Sequence, residues 1–516
     1  MKRNLRPSLR CLLLIAAIAL AAGGCKKGKQ NGRSKAGSTA GSAGGGGGSS
    51  GGSGGGGTAA KANTLDQAKA ETQAKRFVAH MTGGRFGEAA KMMTPRMLQA
   101  MPAERLGATW RGVSSQLGAF KRVVKVEGKA IGTSFTFQLT ALFENQPFNV
   151  VVSIDAAGRV QGLFFKPAML PRPQHPKPPY PYAAREVVFV NKTDKTKHAG
   201  TLTHPKGNGP FPAAVLVTGS GSQDRDETIL QHKPFLVIAD HLTRAGFAVL
   251  RIDDRGVGGS GGDPNTATIQ IHATDAGAAI DFLKKQKVVN SKAIGLIGHS
   301  EGGAIAPIVA ARRADVAFVI SLAGSALPGD KIVAEQVLAI ARAQPGMDKA
   351  KLDKLLAAQN EVLAAAKSGS RDKLRQVVKK ATAVGKQIGL KGAGQINAAM
   401  IDAQVKQLLS PWYQSFLKTD PAVHWAKVKK ARVLALNGAK DTQVLADKNL
   451  PRIEAALKKA KNPDVTIKSL PGLNHLFQPC KTGLLNEYAL IPITFDKGAL
   501  QLIADWLAKR FPPPKG

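Results

Sequence analysis

From Arg185 onward the sequence alternates between short apolar runs and helical segments, and this alternation restricts the fold more than any other feature. Seven runs have the length of strands: Glu186–Asn191, Ala213–Thr218, Phe247–Ile252, Ala293–Ile297, Ala317–Leu322, Arg432–Asn437 and Val465–Leu470. Segments with helical spacing lie near residues 229–245, 272–287, 302–313 and 446–460, and a last one follows at 496–510. Continuous apolar strands that alternate with helices predict an α/β domain over residues 185–516, with helices on both faces of a mostly parallel sheet.

Residues 327–430 interrupt this alternation with a long helical pattern, broken at Pro345-Gly346, at Ser368-Gly369 and at the glycines of residues 392–394. The segment is therefore predicted to be a helical insertion inside the sheet domain. It carries an aromatic cluster in a chain with only 5% aromatic residues, namely Trp412, Tyr413 and Phe416. A pocket for an acyl or alcohol group needs apolar walls of this kind. Packing of the insertion against the sheet domain explains the same cluster equally well.

The stretch Gly298-His299-Ser300-Glu301-Gly302-Gly303 directly follows a strand-like run and directly precedes a helical segment. In that context the pattern Gly-x-Ser-x-Gly predicts a nucleophile elbow, a turn so sharp that a Cβ at the flanking glycines would clash. Such a turn exposes the hydroxyl of Ser300 and points the N–H of Glu301 at the reacting oxygen. We therefore predict Ser300 as a nucleophile, the alternative being a glycine-rich turn with an idle serine.

The partners of Ser300 follow from the order in which this kind of site is assembled, serine first, then an acid, then a histidine. His424 and His475 are the two histidines beyond Ser300, and His424 precedes the strand-like run that should carry the acid. His475 follows the last run and is the predicted base. Asp441 follows the preceding run and is the predicted acid, with Asp447 as the second choice because it falls in the next helical segment.

Hydrolysis through a serine also needs donors for the oxyanion that develops on the substrate. The segment Thr218-Gly219-Ser220-Gly221-Ser222 follows the second strand-like run. We predict the N–H of Ser220 as the donor that acts beside Glu301, with Gly221 as the second choice. A flexible Gly/Ser turn without a catalytic role is the simpler interpretation.

Four motifs in this order resemble those of bacterial carboxylesterases and acyltransferase-like hydrolases of the α/β-hydrolase superfamily. They are residues 217–226, Asp253-Asp254-Arg255-Gly256, Gly298–Gly303 and Leu470–His475. The resemblance implies an α/β-hydrolase fold in which the insertion forms a lid, and a serine esterase that cleaves short-chain acyl esters. The family usually has proline after Gly221, where this chain has Ser222.

No cofactor and no metal are predicted. The segment from Gly256 to Gly261 matches Gly-x-Gly-x-x-Gly, but it follows an internal strand-like run and leads into the loop Gly262-Asp263-Pro264 rather than into a helix. His, Cys, Asp and Glu residues do not show the spacing of metal ligands. The expected substrate is a small acyl ester, and the reaction is expected to use groups of the protein without a cofactor or metal.

Residues 64–170 have a different pattern, with helical spacing over 65–82 and 85–101 followed by four strand-like runs between Phe120 and Phe165. Helices followed by an antiparallel meander predict a small α+β domain. It resembles the cone-shaped, nuclear-transport-factor-like domain that often precedes bacterial hydrolases. Six prolines between Pro171 and Pro181 then indicate a stiff linker over residues 171–184.

The first 63 residues are predicted to export and tether the protein. A basic start and the short apolar stretch Leu12–Ala22 are typical of a signal peptide over residues 1–24, and Ala22-Gly23-Gly24-Cys25 resembles a lipobox. Acylation of Cys25 would anchor the chain to a bacterial membrane, in the periplasm or at the cell surface, and the Gly/Ser-rich residues 25–63 would form a flexible tether. Cleavage at an ordinary signal-peptide site is the alternative.

The formal net charge of +38 permits contact with nucleic acid or with an anionic envelope surface. The basic residues are spread along the chain without interleaved aromatics, so nucleic acid is not an expected partner. Two classes of function remain. The first is a serine ester hydrolase, or an acyltransferase, thioesterase or peptidase of the same fold. The second is a cell-envelope binding protein that keeps the fold without catalysis.

Overall fold

The structure is a computed structural model that describes residues 66–168, 170–207 and 209–514. The predicted signal peptide, Cys25 and the predicted tether lie outside the described residues. The described residues form an N-terminal unit and a larger sheet unit, each with its own hydrophobic core. No helix among them is both long enough and apolar enough to cross a membrane.

The N-terminal unit contains the small α+β domain that the sequence predicts. Its helices are α1 (Gln67–Thr82), α2 (Phe86–Lys91), α3 (Pro95–Ala100) and α4 (Ala103–Leu117). Its strands β1 (Phe120–Ile131), β2 (Ser134–Phe143), β3 (Pro147–Ile154) and β4 (Val160–Pro167) form an antiparallel sheet in that order. Alternate side chains of β2 and β3 face the helices, and their core includes Phe77, Trp110 and Phe137. Helix α4 was not predicted as a separate element.

The second unit is built on an eight-stranded sheet whose strand order is β12-β11-β10-β9-β7-β8-β6-β5. The strands are β5 (Ala183–Val190), β6 (Lys197–His204), β7 (Phe211–Val217), β8 (Ala248–Ile252), β9 (Val289–His299), β10 (Phe318–Leu322), β11 (Arg432–Gly438) and β12 (Val465–Leu470). Only β6 runs against both of its neighbours, and the other pairs are parallel. The mostly parallel sheet is confirmed, but β6 was not predicted because polar residues such as Thr201 and Thr203 interrupt its apolar pattern.

Helices cover both faces of this sheet, as predicted. One face packs against α6 (Ile269–Lys284), α7 (Glu301–Arg312) and α14 (Ala446–Lys459). The opposite face packs against α5 (Pro234–Arg244) and α16 (Lys497–Arg510), and a short helix, α15 (Leu485–Tyr488), lies between α14 and α16 in the chain. Burial of the apolar strands on two sides explains why they lack polar alternation.

The insertion forms a helical layer with a hydrophobic core of its own. Its helices are α8 (Gly329–Arg342), α9 (Lys349–Ser368), α10 (Arg371–Gln387), α11 (Ala398–Leu408), α12 (Pro411–Lys418) and α13 (Pro421–Trp425). The three breaks read from the sequence fall between α8 and α9, between α9 and α10, and between α10 and α11. Helix α12 lies against α6 and α8, so the insertion contacts the sheet unit near the elbow.

The proline-rich segment packs onto the sheet unit. The guanidinium of Arg172 donates to the carbonyl oxygens of Ile491 (2.7 Å) and Leu230 (3.1 Å), and Gln174 accepts from the N–H of Thr494 at 2.7 Å. Burial lowers the pKa of Arg172 to about 10. These contacts fix the N-terminal part of the linker, although its prolines alone predict a spacer.

Candidate active site

Four parallel strands deliver the predicted site residues to one edge of the sheet. Loops after β7, β9, β11 and β12 carry Ser220, Ser300, Asp441 and His475 respectively. The carboxyl ends of parallel strands lie together, and this is the edge at which open α/β sheets bind ligands. These residues are far apart in the sequence, but the parallel order of the strands brings them to the same edge of the sheet.

Ser300 lies on a strained turn between β9 and α7. Its backbone has φ 54° and ψ −115°, a conformation that residues with a Cβ rarely adopt. A Cβ added at Gly298 would overlap the carbonyl of Gly302, and one added at Gly302 would overlap the carbonyl of Val217. The flanking glycines are therefore required by close backbone approach, and the strain concentrates at the residue whose hydroxyl the turn presents.

His475 and Asp441 form a buried, directed pair. The Nδ1 of His475 is 2.7 Å from the Oδ2 of Asp441, and both residues are 4% exposed. The other oxygen of Asp441 accepts from the N–H groups of Gln443 (2.7 Å) and Val444 (2.9 Å). With its carboxylate held in this way, Asp441 fixes an imidazole whose Nδ1 carries the proton. The second-choice acid, Asp447, lies in α14 with its side chain 73% exposed.

Within the described part of the chain, the hydroxyl of Ser300 is not hydrogen bonded to His475. Hydrogen bonds between catalytic groups are often long in unliganded enzymes and shorten only when substrate binds. The lack of this hydrogen bond in the unliganded protein is therefore compatible with a proton transfer in the substrate complex.

Two backbone segments meet at Ser300 and can donate to an oxyanion. Glu301 is the first residue of α7, and the N–H groups of a first helical turn have no partner inside the helix. On the other side, a Cβ added at Gly219 would lie 3.2 Å from the Cβ of Ser300, so the loop after β7 runs beside the nucleophile. The N–H of Gly219 already donates to Glu227 at 2.6 Å. Ser220 and Gly221 therefore remain the candidate donors on this side.

Acidic side chains surround these loops, and sequence reasoning did not identify them. Burial raises the pKa of Glu301, while hydrogen bonds from Trp412 and Ser220 oppose the shift. Burial, together with the nearby carboxylates of Glu301 and Glu227, raises the pKa of Asp254 to about 8. The hydroxyl of Thr218 donates to Asp254 at 2.7 Å. At neutral pH Asp254 therefore carries a proton beside the oxyanion loop.

The aromatic cluster of the insertion divides between two environments. Trp412 is partly buried, stacks on Phe416 with ring centroids 5.7 Å apart, and donates its indole N–H to Glu301 at 2.9 Å. Tyr413 is 1% exposed and lies in the core of the insertion. Trp412 thus contacts the elbow directly, whereas Tyr413 packs inside the helical layer.

Two cavities bear on where a substrate could bind. A narrow cavity of about 30 Å³ lies beside Glu301, Gly219 and Asp254 and has room for little more than a water molecule. A larger groove of about 520 Å³ lies between β5 and α6, and none of the predicted site residues lines it. The three aromatic residues of the insertion line neither of these two.

Glycines after β8 do not form a nucleotide-binding turn. The loop that begins at Gly256 is followed by α6 only at Ile269, and the carboxylate of Asp253 accepts from the N–H of Gly259 at 3.1 Å. A phosphate would need those N–H groups free at a helix start. No cluster of His, Cys, Asp and Glu residues suited to a metal ion occurs among the residues that the structure describes.

Comparison with known proteins gives matches over both units. Residues 181–470 match the family described as X-Pro dipeptidyl-peptidase (S15 family), and residues 74–163 match a protein family of unknown function, DUF3887. Esterase EstD of Thermotoga maritima is 33% identical over 265 residues, which are 51% of this chain and 62% of EstD. This chain thus spans less than two thirds of that relative.

Solved structures give weaker matches. An esterase from Pyrococcus furiosus aligns with 64% of this chain and 91% of its own, at 15% identity and a TM-score of 0.39. The α/β hydrolase GrgF from Penicillium aligns with 64% of this chain and 99% of its own, at 17% identity and a TM-score of 0.40.

The reversed strand β6 in an otherwise parallel sheet, with a strained serine turn at the sheet edge, defines an α/β hydrolase. The predicted fold class is confirmed for the sheet unit and for the small domain before it. Because the family match covers more than half of the chain, the protein belongs to the X-Pro dipeptidyl-peptidase (S15) family.

Proposed function

We propose that this protein is a serine hydrolase that cleaves carboxylic esters, with short-chain acyl esters as the preferred substrates. The observation that carries the proposal is the assembly at one sheet edge of Ser300 on its strained turn, the 2.7 Å pair of His475 and Asp441, and the N–H of Glu301. These are the parts that acyl transfer through a serine requires.

In the proposed reaction, the Nε2 of His475 takes the proton of Ser300 as the serine oxygen attacks the carbonyl carbon of the ester. The N–H groups of Glu301 and Ser220 stabilise the negative charge on the carbonyl oxygen. The imidazolium then gives its proton to the departing alcohol, and an acyl group remains on Ser300. A water molecule, deprotonated by His475, releases the acid. Asp441 holds the imidazole in its tautomer through both steps.

Esters are favoured over X-Pro peptides as substrates because the acidic groups around the site already accept hydrogen bonds from the protein. A dipeptidyl-peptidase must bind the ammonium of a peptide N-terminus, which needs a carboxylate free to pair with it. Here Glu301 accepts from Trp412, Glu227 accepts from Gly219, and Asp254 accepts from Thr218. Each of the three accepts from a protein donor, and Asp254 carries a proton at neutral pH. The second oxygen of Glu227 has no partner among the described residues, but it is buried.

A substrate panel tests this choice. We would compare kcat/KM of the purified protein on p-nitrophenyl acetate, butyrate and octanoate with that on alanyl-prolyl-p-nitroanilide. The expected result is turnover of the short esters with much slower release from the anilide, and no turnover of either by the Ser300→Ala variant. Hydrolysis of the anilide without hydrolysis of the esters would contradict the proposal and favour a peptidase.

We further propose that Cys25 is acylated and anchors the protein in a bacterial cell envelope. The support is the small-residue run before Cys25, the short apolar stretch preceding it and the Gly/Ser-rich tether after it. Cys25→Ser should move the protein from the membrane fraction to the soluble fraction. A parent protein that is soluble, with no lipid mass on its N-terminal peptide, would contradict this.

A further inference from the structure

A buried pair of a carboxylate and an imidazole lies next to the proposed catalytic residues. Glu227, in the loop after β7, is 3% exposed, and His299, the residue before Ser300, is 6% exposed. The Oε1 of Glu227 is 2.9 Å from the Nδ1 of His299. The proposed reaction does not use either of them.

Each member of this pair also binds a different loop of the site. The Oε1 of Glu227 accepts from the N–H of Gly219 at 2.6 Å, one residue before the proposed oxyanion donor Ser220. The Nε2 of His299 is 3.0 Å from the carbonyl oxygen of His475. The pair therefore connects the loops after β7, β9 and β12, which are the loops that carry the oxyanion donor, the nucleophile and the base.

Both nitrogens of His299 face oxygen atoms that can only accept a hydrogen bond. A neutral imidazole has one N–H and would leave one of these acceptors facing a lone pair, whereas an imidazolium satisfies both. Burial works against the charged ring, but the carboxylate of Glu227 and, more weakly, that of Asp441 raise the pKa of His299. The ring of His475 lies close by, with its centroid 4.8 Å from that of His299.

We propose that Glu227 and protonated His299 are positioning residues for ester hydrolysis, and that they hold the three loops in one catalytic geometry only while the imidazolium is intact. The inference rests on the proposed function. Glu227 adopts φ 53°, in the left-handed region, so its backbone is strained at the point where its side chain meets the two donors.

Loss of the charge has a defined consequence for the hydrogen bonds. In Glu227→Gln, a neutral His299 that keeps its bond to His475 presents a bare Nδ1 to residue 227. The NH₂ group of the glutamine must then donate to that nitrogen. In the parent a single atom, Oε1 of Glu227, serves both Gly219 and His299, and an amide cannot accept from one and donate to the other with the same atom. The N–H of Gly219 loses its acceptor or His299 loses its partner, and the oxyanion loop moves. A displacement of about 1 Å in such a group costs on the order of 100-fold in rate.

The experiment measures kcat and KM on p-nitrophenyl butyrate from pH 5.5 to 10 for the parent, Glu227→Gln and His299→Gln. The matched control is Glu454→Gln, an exposed carboxylate on α14. We expect kcat of Glu227→Gln at pH 7 to fall about 10- to 100-fold with KM nearly unchanged, since the oxyanion contact acts in the transition state. The decrease of kcat at alkaline pH should begin at a lower pH in Glu227→Gln than in the parent. In His299→Gln this alkaline decrease should be absent.

If Glu227→Gln has a kcat within twofold of the parent and an unchanged pH profile, the pair serves the fold alone and the proposal is overturned. The same holds if His299→Gln keeps the parent's alkaline decrease of kcat. If neither variant folds, ¹⁵N NMR of histidine-labelled parent protein decides: His299 should carry protons on both nitrogens at pH 7, and a neutral ring would overturn the proposal. The NMR measurement needs no turnover. Its outcome is therefore independent of the esterase assignment, which Ser300→Ala tests.

Discussion

Asp441 and Asp447 are six residues apart in the chain, yet the structure gives them opposite surroundings. The carboxylate of Asp441 receives hydrogen bonds from His475, Asn437 and two backbone N–H groups, whereas Asp447 reaches into solvent from α14. Only the first environment holds a carboxylate in place so that it can orient an imidazole.

Asp441→Asn should therefore lower kcat/KM on p-nitrophenyl butyrate by about 10³- to 10⁴-fold, because the amide favours the wrong tautomer of His475. Asp447→Asn serves as the matched control and should stay within about twofold of the parent, as surface changes usually do. Activity that survives in the first variant and is lost in the second would transfer the role of acid to Asp447.

Asp254 makes stability depend on pH in a direction opposite to most carboxylates. Its pKa rises from 3.8 to about 8 on folding, so between these values the native state keeps a proton that the unfolded state has released. The contribution of Asp254 to stability should therefore fall as pH rises from 4 to 8 and change no further above about 8.

An asparagine at this position has no proton to lose, and its amide oxygen can still accept from the N–H of Gln223. Its NH₂ group can donate to the hydroxyl oxygen of Thr218, which is the donor to Asp254 in the parent. Asp254→Asn should be nearly equal to the parent in urea unfolding at pH 4.5 and more stable at pH 8, by on the order of a few kcal/mol. Asp447→Asn should show no such trend. An equal stability difference at both pH values would mean that Asp254 is ionised in the native protein.

The residues of the proposed triad could be read from the sequence because their order in the chain and their places after strands are fixed by the fold. Glu227 and His299 could not be paired in this way, since 72 residues separate them and their contact depends on the path of two loops. A signal was present, because Glu227 directly follows one of the quoted motifs and His299 lies inside another. Neither spacing nor composition reveals which buried polar groups face each other.

At the level of elements, helix α12 connects the insertion to the elbow through the bond from Trp412 to Glu301. If Trp412 also borders the acyl group, Trp412→Ala should change the relative rates on acetate, butyrate and octanoate esters by about tenfold or more. A uniform loss on all three esters, with a stability decrease of about 3–5 kcal/mol, would mean that Trp412 only packs the insertion.

Tyr413 is the natural control in the same helix. Its hydroxyl is buried and has no hydrogen-bond partner among the described residues. Tyr413→Phe should leave the chain-length profile unchanged and stabilise the protein by about 1 kcal/mol, because an unsatisfied buried hydroxyl is removed. A changed profile in Tyr413→Phe would place this residue, too, at the substrate.

Most strands and helices of the sheet unit were predictable because apolar runs of strand length alternate with helical spacing. Strand β6 was missed since it lies antiparallel between β5 and β8 and contains buried threonines, of which Thr203 bonds Thr243 in α5. Its burial depends on partners far away in the chain. Helix α4 was missed because it directly follows α3 after a short turn at Met101-Pro102.

At the scale of the whole molecule, the two units were separable in the sequence because their patterns differ, whereas the docking of the linker was not. Arg172 and Gln174 reach carbonyl and N–H groups more than 300 residues further along the chain. Proline content describes the stiffness of a segment but does not reveal the surface against which it packs.

The central claim is that Ser300 is a nucleophile activated within the sheet unit. The most direct measurement is labelling of the purified protein with a fluorophosphonate probe, followed by mass spectrometry of the modified peptide. We predict one adduct per chain, on Ser300, with labelling abolished in Ser300→Ala and slowed by orders of magnitude in His475→Ala. Labelling of another residue, or equal labelling of Ser300→Ala and the parent, would contradict the account.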